Sequence, residues 1–214
     1  MEVGNNADVV YLDFATAFDK VNINLVIEKI KCLGIGGKII EWITSFLKNR
    51  QQYVLVDGVL SHPSPVISGV PQGSVFGPLI FLVLIGDIDG NTISSSVRSF
   101  ADDTRLIKAV SNEKDTECLQ EDLLSIYHWA TSNNMKFNDI KFELLRYGPN
   151  ERIKQSTSYQ SSNGEDIDEK QMVRDLGIVM SNDCIFKRHI NEVIETAKKL
   201  TSWILRALSI HAQA

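Results

Sequence analysis

Little in this sequence could staple a fold covalently or through zinc. Its three cysteines, Cys32, Cys118 and Cys184, lie far apart, with no CxxC pair and no histidine ladder beside them. That excludes a disulfide framework and a zinc knuckle, and it suits a reducing, intracellular compartment, cytoplasmic or nuclear. The four histidines are equally scattered, and His189 reads as a helix-start or core residue rather than a ligand. Long hydrophobic runs are missing as well. The longest, residues 79–85, is far shorter than the about 20 residues a bilayer span needs, and the acidic N-terminus is not a signal peptide, so no membrane partner is expected. Internal repeats and low-complexity tracts are absent. Positive charge is not in excess either: a net charge of −5 speaks against a broadly basic nucleic-acid binder.

What is present is enough apolar sequence for a core. With 214 residues, 43% of them hydrophobic, the chain can fold as one domain with two lobes. Residues 8–14 read as a buried strand. Residues 24–33 read as a helix broken by Gly34, Gly36 and Gly37. A second helix over 38–48 places Ile39, Trp42, Ile43, Phe46 and Leu47 on one face, with Trp42 expected in the core. Asp57-Gly58 between two apolar runs predicts a hairpin. The helix over 74–85 is apolar almost continuously and is expected to be buried nearly all round. Residues 117–131 repeat Leu119, Leu123, Ile126, Tyr127 and Ala130 at helical spacing, and MKFN and FELLRY read as two further strands. Beyond Gly148-Pro149 the chain turns polar and serine-rich. There Asn163-Gly164 predicts a hairpin, DLGIVM a strand, and 186–208 a helix with five basic residues against two acidic ones, a local charge of +3 that could follow a phosphate backbone or simply be solvated.

Three carboxylates stand out. FADDT puts Asp102 and Asp103 between two strand-like runs, at the expected tip of a hairpin, and the earlier strand VVYLDF ends on Asp13. Carboxylates from distant segments are what two-metal phosphoryl transfer requires, because two cations about 3.5–4 Å apart must be held together against their own repulsion by anionic oxygens. Each piece also has a plainer reading. Asp-Asp is common turn chemistry, and a polar strand end needs no metal. A third segment, SGVPQGSVFGPLIF, sets three glycines and two prolines before an apolar helix, so that backbone can approach a flat ligand closely or merely lead into a core helix.

In their order and spacing these segments resemble the reverse transcriptases of non-LTR, LINE-type retrotransposons, over nearly the whole chain. YLDFATAFDKVN is similar to the family's first catalytic block, which makes Asp13 a metal ligand and Phe18 the aromatic that screens the incoming sugar. SGVPQGSVFGPL resembles the template- and nucleotide-positioning block, with Pro71, Gln72 and Gly73 in substrate-binding positions. FADDT matches the block whose aspartate pair, Asp102 and Asp103, completes the metal site, and MKFNDIKFELL resembles the next, with Lys141 in the lysine position. The resemblance implies an α+β fold: a polymerase palm of antiparallel sheet backed by helices over residues 1–148, then a primer-gripping hairpin and partial thumb over 149–214. It implies two Mg²⁺ ions, with Mn²⁺ as a substitute, and as partners an RNA template, a DNA primer and deoxynucleoside triphosphates. Phe18 could equally be a core residue and Lys141 a solvated one.

Asp13 stands a dozen residues from Met1, whereas the family carries a basic fingers region ahead of this block. A truncated copy with little activity of its own is therefore expected. A catalytically silent, retroelement-derived RNA-binding remnant is the alternative. A two-metal nuclease is a third reading, which leaves Gln72-Gly73 and Phe18 unexplained.

Overall fold

The computed structural model describes residues 6–211; the acidic N-terminus at residues 1–5 lies outside them. β1 (Asn6–Leu12) takes the middle of a five-stranded sheet, the place for a strand with apolar side chains on both faces. A 3₁₀ turn at Ala17–Asp19 follows. α1 (Ile23–Cys32) then starts where the Asn22 side chain accepts from the backbone N–H groups of Asn24 and Leu25. Next come α2 (Gly37–Leu47) and four short strands, β2 (Arg50–Gln52), β3 (Leu55–Val56), β4 (Val59–Leu60) and β5 (Ser64–Val66), paired β2–β5 and β3–β4 outside the main sheet. Asp57 and Gly58 turn β3 into β4 at φ of 49° and 80°. The described chain continues through α3 (Phe76–Ile85), β6 (Ser96–Phe100), β7 (Asp103–Val110), α4 (Glu113–Ser132), β8 (Glu143–Tyr147), α5 (Glu151–Ser156), β9 (Asp168–Lys170), β10 (Met172–Asp175), β11 (Ile178–Ser181) and α6 (Lys187–His211).

The sheet runs β6–β7–β1–β8–β9, antiparallel except for the last pair. The fold is therefore α+β, as expected. Strand alternation divides the sheet's two faces. Val10, Leu12, Leu106 and Leu144 point into the main core, against α1, α3 and α4. Val9, Leu145 and Tyr147 form a smaller cluster on the opposite face with Val173 of β10, and Met180 of β11 packs against it. α4 is longer than its apolar period suggests, because Asn112 and Asp115 form a reciprocal capping box that starts it at Glu113. Its Leu119, Leu123 and Ile126 are fully buried, each contributing about 1.5–3 kcal/mol of transfer free energy.

Several expectations are corrected. Trp42 is not in the core: it is 57% exposed and stacks on Phe46 at 5.5 Å, so that of its expected face only Ile43 and Leu47 are buried. α3 is buried on one side only, through Ile80, Phe81, Leu84 and Ile85, while Leu79 and Leu82 face outward. Apolar continuity cannot say which side of a helix finds a partner. MKFN is not a strand. It contributes a single bridge, Phe137 to Phe14, and a 3₁₀ turn at Asp139–Lys141 precedes β8. DLGIVM is not one strand but a hairpin corner, because Leu176 and Gly177 take φ of 46° and 84° and fold β11 back on β10. The Asn163-Gly164 turn is present, closed by a bridge between Gln160 and Asp166.

Candidate active site

β1 and β7 are antiparallel neighbours, and the last pair in their register is Leu12 with Thr104. The next residue of one chain and the preceding residue of the other are Asp13 and Asp103. Antiparallel pairing thus brings them to the same end of the sheet, and alternation sends both side chains to the face away from the main core, the face of Tyr11 and Arg105. β6 and β7 are joined by a two-residue turn, Ala101 and Asp102, closed by the Phe100–Asp103 pair. Ala101 holds φ of 53°, a left-handed conformation in which a methyl side chain is strained. Asp102 is therefore at the tip, as expected, while Asp103 opens the strand rather than sharing the tip.

Lys141 reaches this end from the 3₁₀ turn before β8, and its Nζ donates to Asp13 Oδ2 at 3.0 Å. The backbone of Asp13 is pinned as well, its carbonyl accepting from Asn138 N–H at 2.8 Å. Asp103 has its carboxyl pushed up from the ordinary value, first by burial and then by the negative charges of Asp102, Asp13 and Asp175, with Arg105 acting in the opposite sense. A cleft of about 160 Å³ opens here, with Tyr11, Asp13, Asp103 and Lys141 on one side and Arg174, Asp175 and Leu176 of the β10–β11 corner on the other. All-oxygen anionic donors suit a hard divalent cation, and the repulsion felt by Asp103 is what such a cation would relieve. Among the described residues, however, no three His, Cys, Asp or Glu side chains converge into a ready-made metal centre.

The second cluster lies on the inner side. Phe18, in the 3₁₀ turn after β1, packs on Phe81 of α3 with ring centroids 4.7 Å apart, and it also lines an open cleft of about 520 Å³ with Val70, Pro71, Gln72 and Gly73. It is partly buried, one side against the core and the other on the cleft. The loop carrying Pro71–Gly73 is zipped to the Phe18 turn by Val70 N–H to Phe18 C=O and Gly69 N–H to Val21 C=O, each at 2.9 Å. Gly69 is required there. Its φ is 80°, and a Cβ would stand 2.9 Å from the backbone of Asp19. The Asp19 carboxylate accepts from Gln72 Nε2 at 2.8 Å, and its carbonyl from Ser68 Oγ. Arg50 ties the far side of the loop, its guanidinium donating to the carbonyls of Leu47, Ser68 and Gly69.

The expected residues thus fall into two groups. Asp13, Asp102, Asp103 and Lys141 stand at one end of the sheet, and Phe18, Pro71, Gln72 and Gly73 at the mouth of a neighbouring cleft. Asp19, Arg50, Arg105 and Asp175 join them without a motif of their own. Asp19 and Arg105 are sequence neighbours of Phe18 and Asp103 and could have been suspected on that ground. Asp175 meets Arg105 across 70 residues, and no local pattern signals it. His189 sits at the start of α6, where its Nδ1 accepts from Val179 N–H at 3.4 Å. On that helix Arg188 pairs with Glu192, and Lys198 with Glu195. No helix among the described residues is long and apolar enough to cross a membrane.

Comparison with known proteins gives the same family. The reverse transcriptase (RNA-dependent DNA polymerase) family profile matches residues 2–180. The chain is 31% identical over 206 residues to the RNA-directed DNA polymerase from mobile element jockey of Drosophila melanogaster, covering 91% of this chain and 22% of that protein. It is 27% identical over 197 residues to the probable RNA-directed DNA polymerase from transposon BS of the same organism, covering 86% and 21%. It therefore spans about a fifth of the length of these curated relatives. Among solved structures, apo telomerase from Candida tropicalis truncated from its C-terminal domain shares the fold with a TM-score of 0.59 at 13% identity, over 86% of this chain and 35% of that one. Telomerase from Candida tropicalis with a fragment of telomeric RNA aligns equally well, TM-score 0.59, over 87% and 30%. The chain belongs to the reverse transcriptase family, on its non-LTR retrotransposon branch.

Proposed function

We propose that this chain carries the catalytic palm of an RNA-directed DNA polymerase that adds deoxynucleotides to a DNA primer on an RNA template. The observation that carries this reading is the β1–β7 register, which sets Asp13 beside Asp103 on the outer face of the sheet, one residue from Asp102. Residues 1–148 form the palm and 149–214 a primer-grip-like hairpin with part of a thumb; residues 1–5 and 212–214 lie outside the described residues. Asp13 and Asp102, with Asp103 assisting, would hold two Mg²⁺ ions, or Mn²⁺ in their place; bound there, such ions would supply acidification of a primer 3′-hydroxyl and neutralisation of the triphosphate. Lys141, already at Asp13, supplies a proton from Nζ to the departing pyrophosphate. Phe18, backed by Phe81, lays its ring beneath the ribose and excludes a 2′-hydroxyl. Pro71, Gln72 and Gly73 form a backbone platform for the nucleotide and template base, with the Gln72 amide oriented by Asp19.

The test is RNA-templated primer extension by this segment carried in place of the matching stretch of the jockey polymerase. Mg²⁺-dependent extension is expected that Asp102→Ala abolishes, with Phe18→Val admitting ribonucleotides more readily. Extension that survives Asp102→Ala overturns the reading. That no three ligand side chains converge among the described residues favours a second reading, a silent remnant that binds RNA. It predicts hybrid binding with no extension.

A further inference from the structure

The β10–β11 hairpin is attached to the rest of the molecule in a lopsided way. It forms its own two-stranded sheet, with no backbone ladder to the five-stranded one. Its base rests on the outer face through Val173 and Met180, against Val9, Leu145, Tyr147 and Tyr11. Its corner, Asp175-Leu176-Gly177, overhangs the carboxylate end and forms one wall of the cleft whose other wall holds Asp13, Asp103 and Lys141. Among the described residues one charged contact ties the corner to the sheet: Arg105 Nη1 donates to the Asp175 carboxylate, with 23% and 10% of the two side chains exposed. Arg105 lies two residues beyond Asp103 on β7 and is the register partner of Tyr11, so its stem rises from the same face as the carboxylates.

The hairpin also anchors the final helix. α6 starts six residues after β11 and packs back on it, and Arg174 of β10 pairs with Glu192 of α6 at 2.7 Å. Any tilt of the corner would move both the cleft wall and the root of α6.

We propose that Arg105–Asp175 is a charge latch that sets the spacing between the hairpin corner and the carboxylates, making both of them positioning residues for the nucleic-acid end that enters the cleft. The role in substrate placement rests on the polymerase reading above; the latch itself does not. A half-buried pair suits the task. Losing one partner leaves the other charge desolvated and unpaired, so the corner lifts rather than settling into a new contact.

The experiment is amide hydrogen exchange on the full chain with Arg105→Gln, Asp175→Asn, the two combined, and Arg105→Lys. Amides over residues 172–181 should exchange at least about tenfold faster in each single variant while those of β1, β7 and β8 stay within about twofold, since local opening is read separately from global unfolding. The combined variant should be no faster than either single one, because both remove the same contact, and Arg105→Lys should recover most of the protection. Binding of an RNA–DNA hybrid with a recessed 3′ end, read by fluorescence anisotropy, should weaken about fivefold or more in the singles and recover with Arg105→Lys, while single-stranded RNA affinity stays unchanged. Unaltered exchange at 172–181, or additive effects in the combined variant, would overturn the latch. Faster exchange with unchanged hybrid affinity would overturn its positioning role, and a parent chain that binds no hybrid would count against the polymerase reading while leaving the latch standing on the exchange data.

Discussion

Asp8 and Arg146 face each other across β1 and β8 as register partners, each only 1% exposed. Asp8 Oδ2 accepts from Arg146 Nε and Nη2 and, at 2.7 Å, from Tyr159 Oη, while Arg146 Nη1 donates to the carbonyls of Lys154 and Thr157. The network clamps α5 and the chain after it to the middle of the sheet. Removing one charged partner strands the other, so Arg146→Met is expected to cost about 3–5 kcal/mol. Tyr159→Phe removes one hydrogen bond to a charged group and should cost about 1.5–3 kcal/mol. Urea unfolding midpoints measure both, and an Arg146→Met loss below that of Tyr159→Phe would contradict the assignment.

Gly69 and Gly58 share a φ of 80°, but only Gly69 has backbone where a Cβ would go; Gly58 has open space. Alanine at either position should cost about 1–2 kcal/mol for the left-handed conformation. Gly69→Ala must in addition push the Pro71–Gly73 loop away from Asp19. It should be clearly the more destabilising of the two, and should weaken nucleotide-dependent hybrid binding where Gly58→Ala does not. Equal unfolding free energies for the two variants would show that the close approach to Asp19 has no energetic consequence.

Asp122, buried within α4, is a pH-sensitive contributor to stability. Burial alone would raise its carboxyl, but hydrogen bonds from the backbone N–H groups of Ile93, Ser94 and Ser95 and from Ser94 Oγ overcome that and hold it below the ordinary carboxylate value. A depressed folded-state pKa means stability that is present above the unfolded value, about 3.9, and lost as pH falls through the lower folded value. Asp122→Asn should therefore cost about 1.5–3 kcal/mol at neutral pH, with the gap from the parent closing in strong acid. A gap that is constant from pH 7 to pH 2 would refute this.

The sequence is most legible where chemistry is local. Asp57-Gly58 and the period of Leu119, Leu123 and Ile126 locate their elements to within a few residues, because turns and helical faces are set by neighbours along the chain. Trp42, Leu79 and Leu82 are misjudged for the opposite reason, since burial depends on whether a second element arrives, and that is a property of the fold. The same holds at the candidate site. Asp13, Asp102 and Asp103 carry a recognisable pattern, whereas the ties of Arg105 to Asp175 and of Gln72 to Asp19 exist only once segments 50 or more residues apart have been placed side by side.

Mn²⁺ binding read by electron paramagnetic resonance, with an RNA–DNA hybrid present, decides whether Asp13, Asp102 and Asp103 act together on divalent cations. The parent chain should bind Mn²⁺ in competition with Mg²⁺. Asp13→Asn and Asp102→Asn should each weaken binding at least about tenfold, since each removes a charged oxygen ligand. Equal Mn²⁺ affinity in the parent and both variants would show that these carboxylates do not hold the cation.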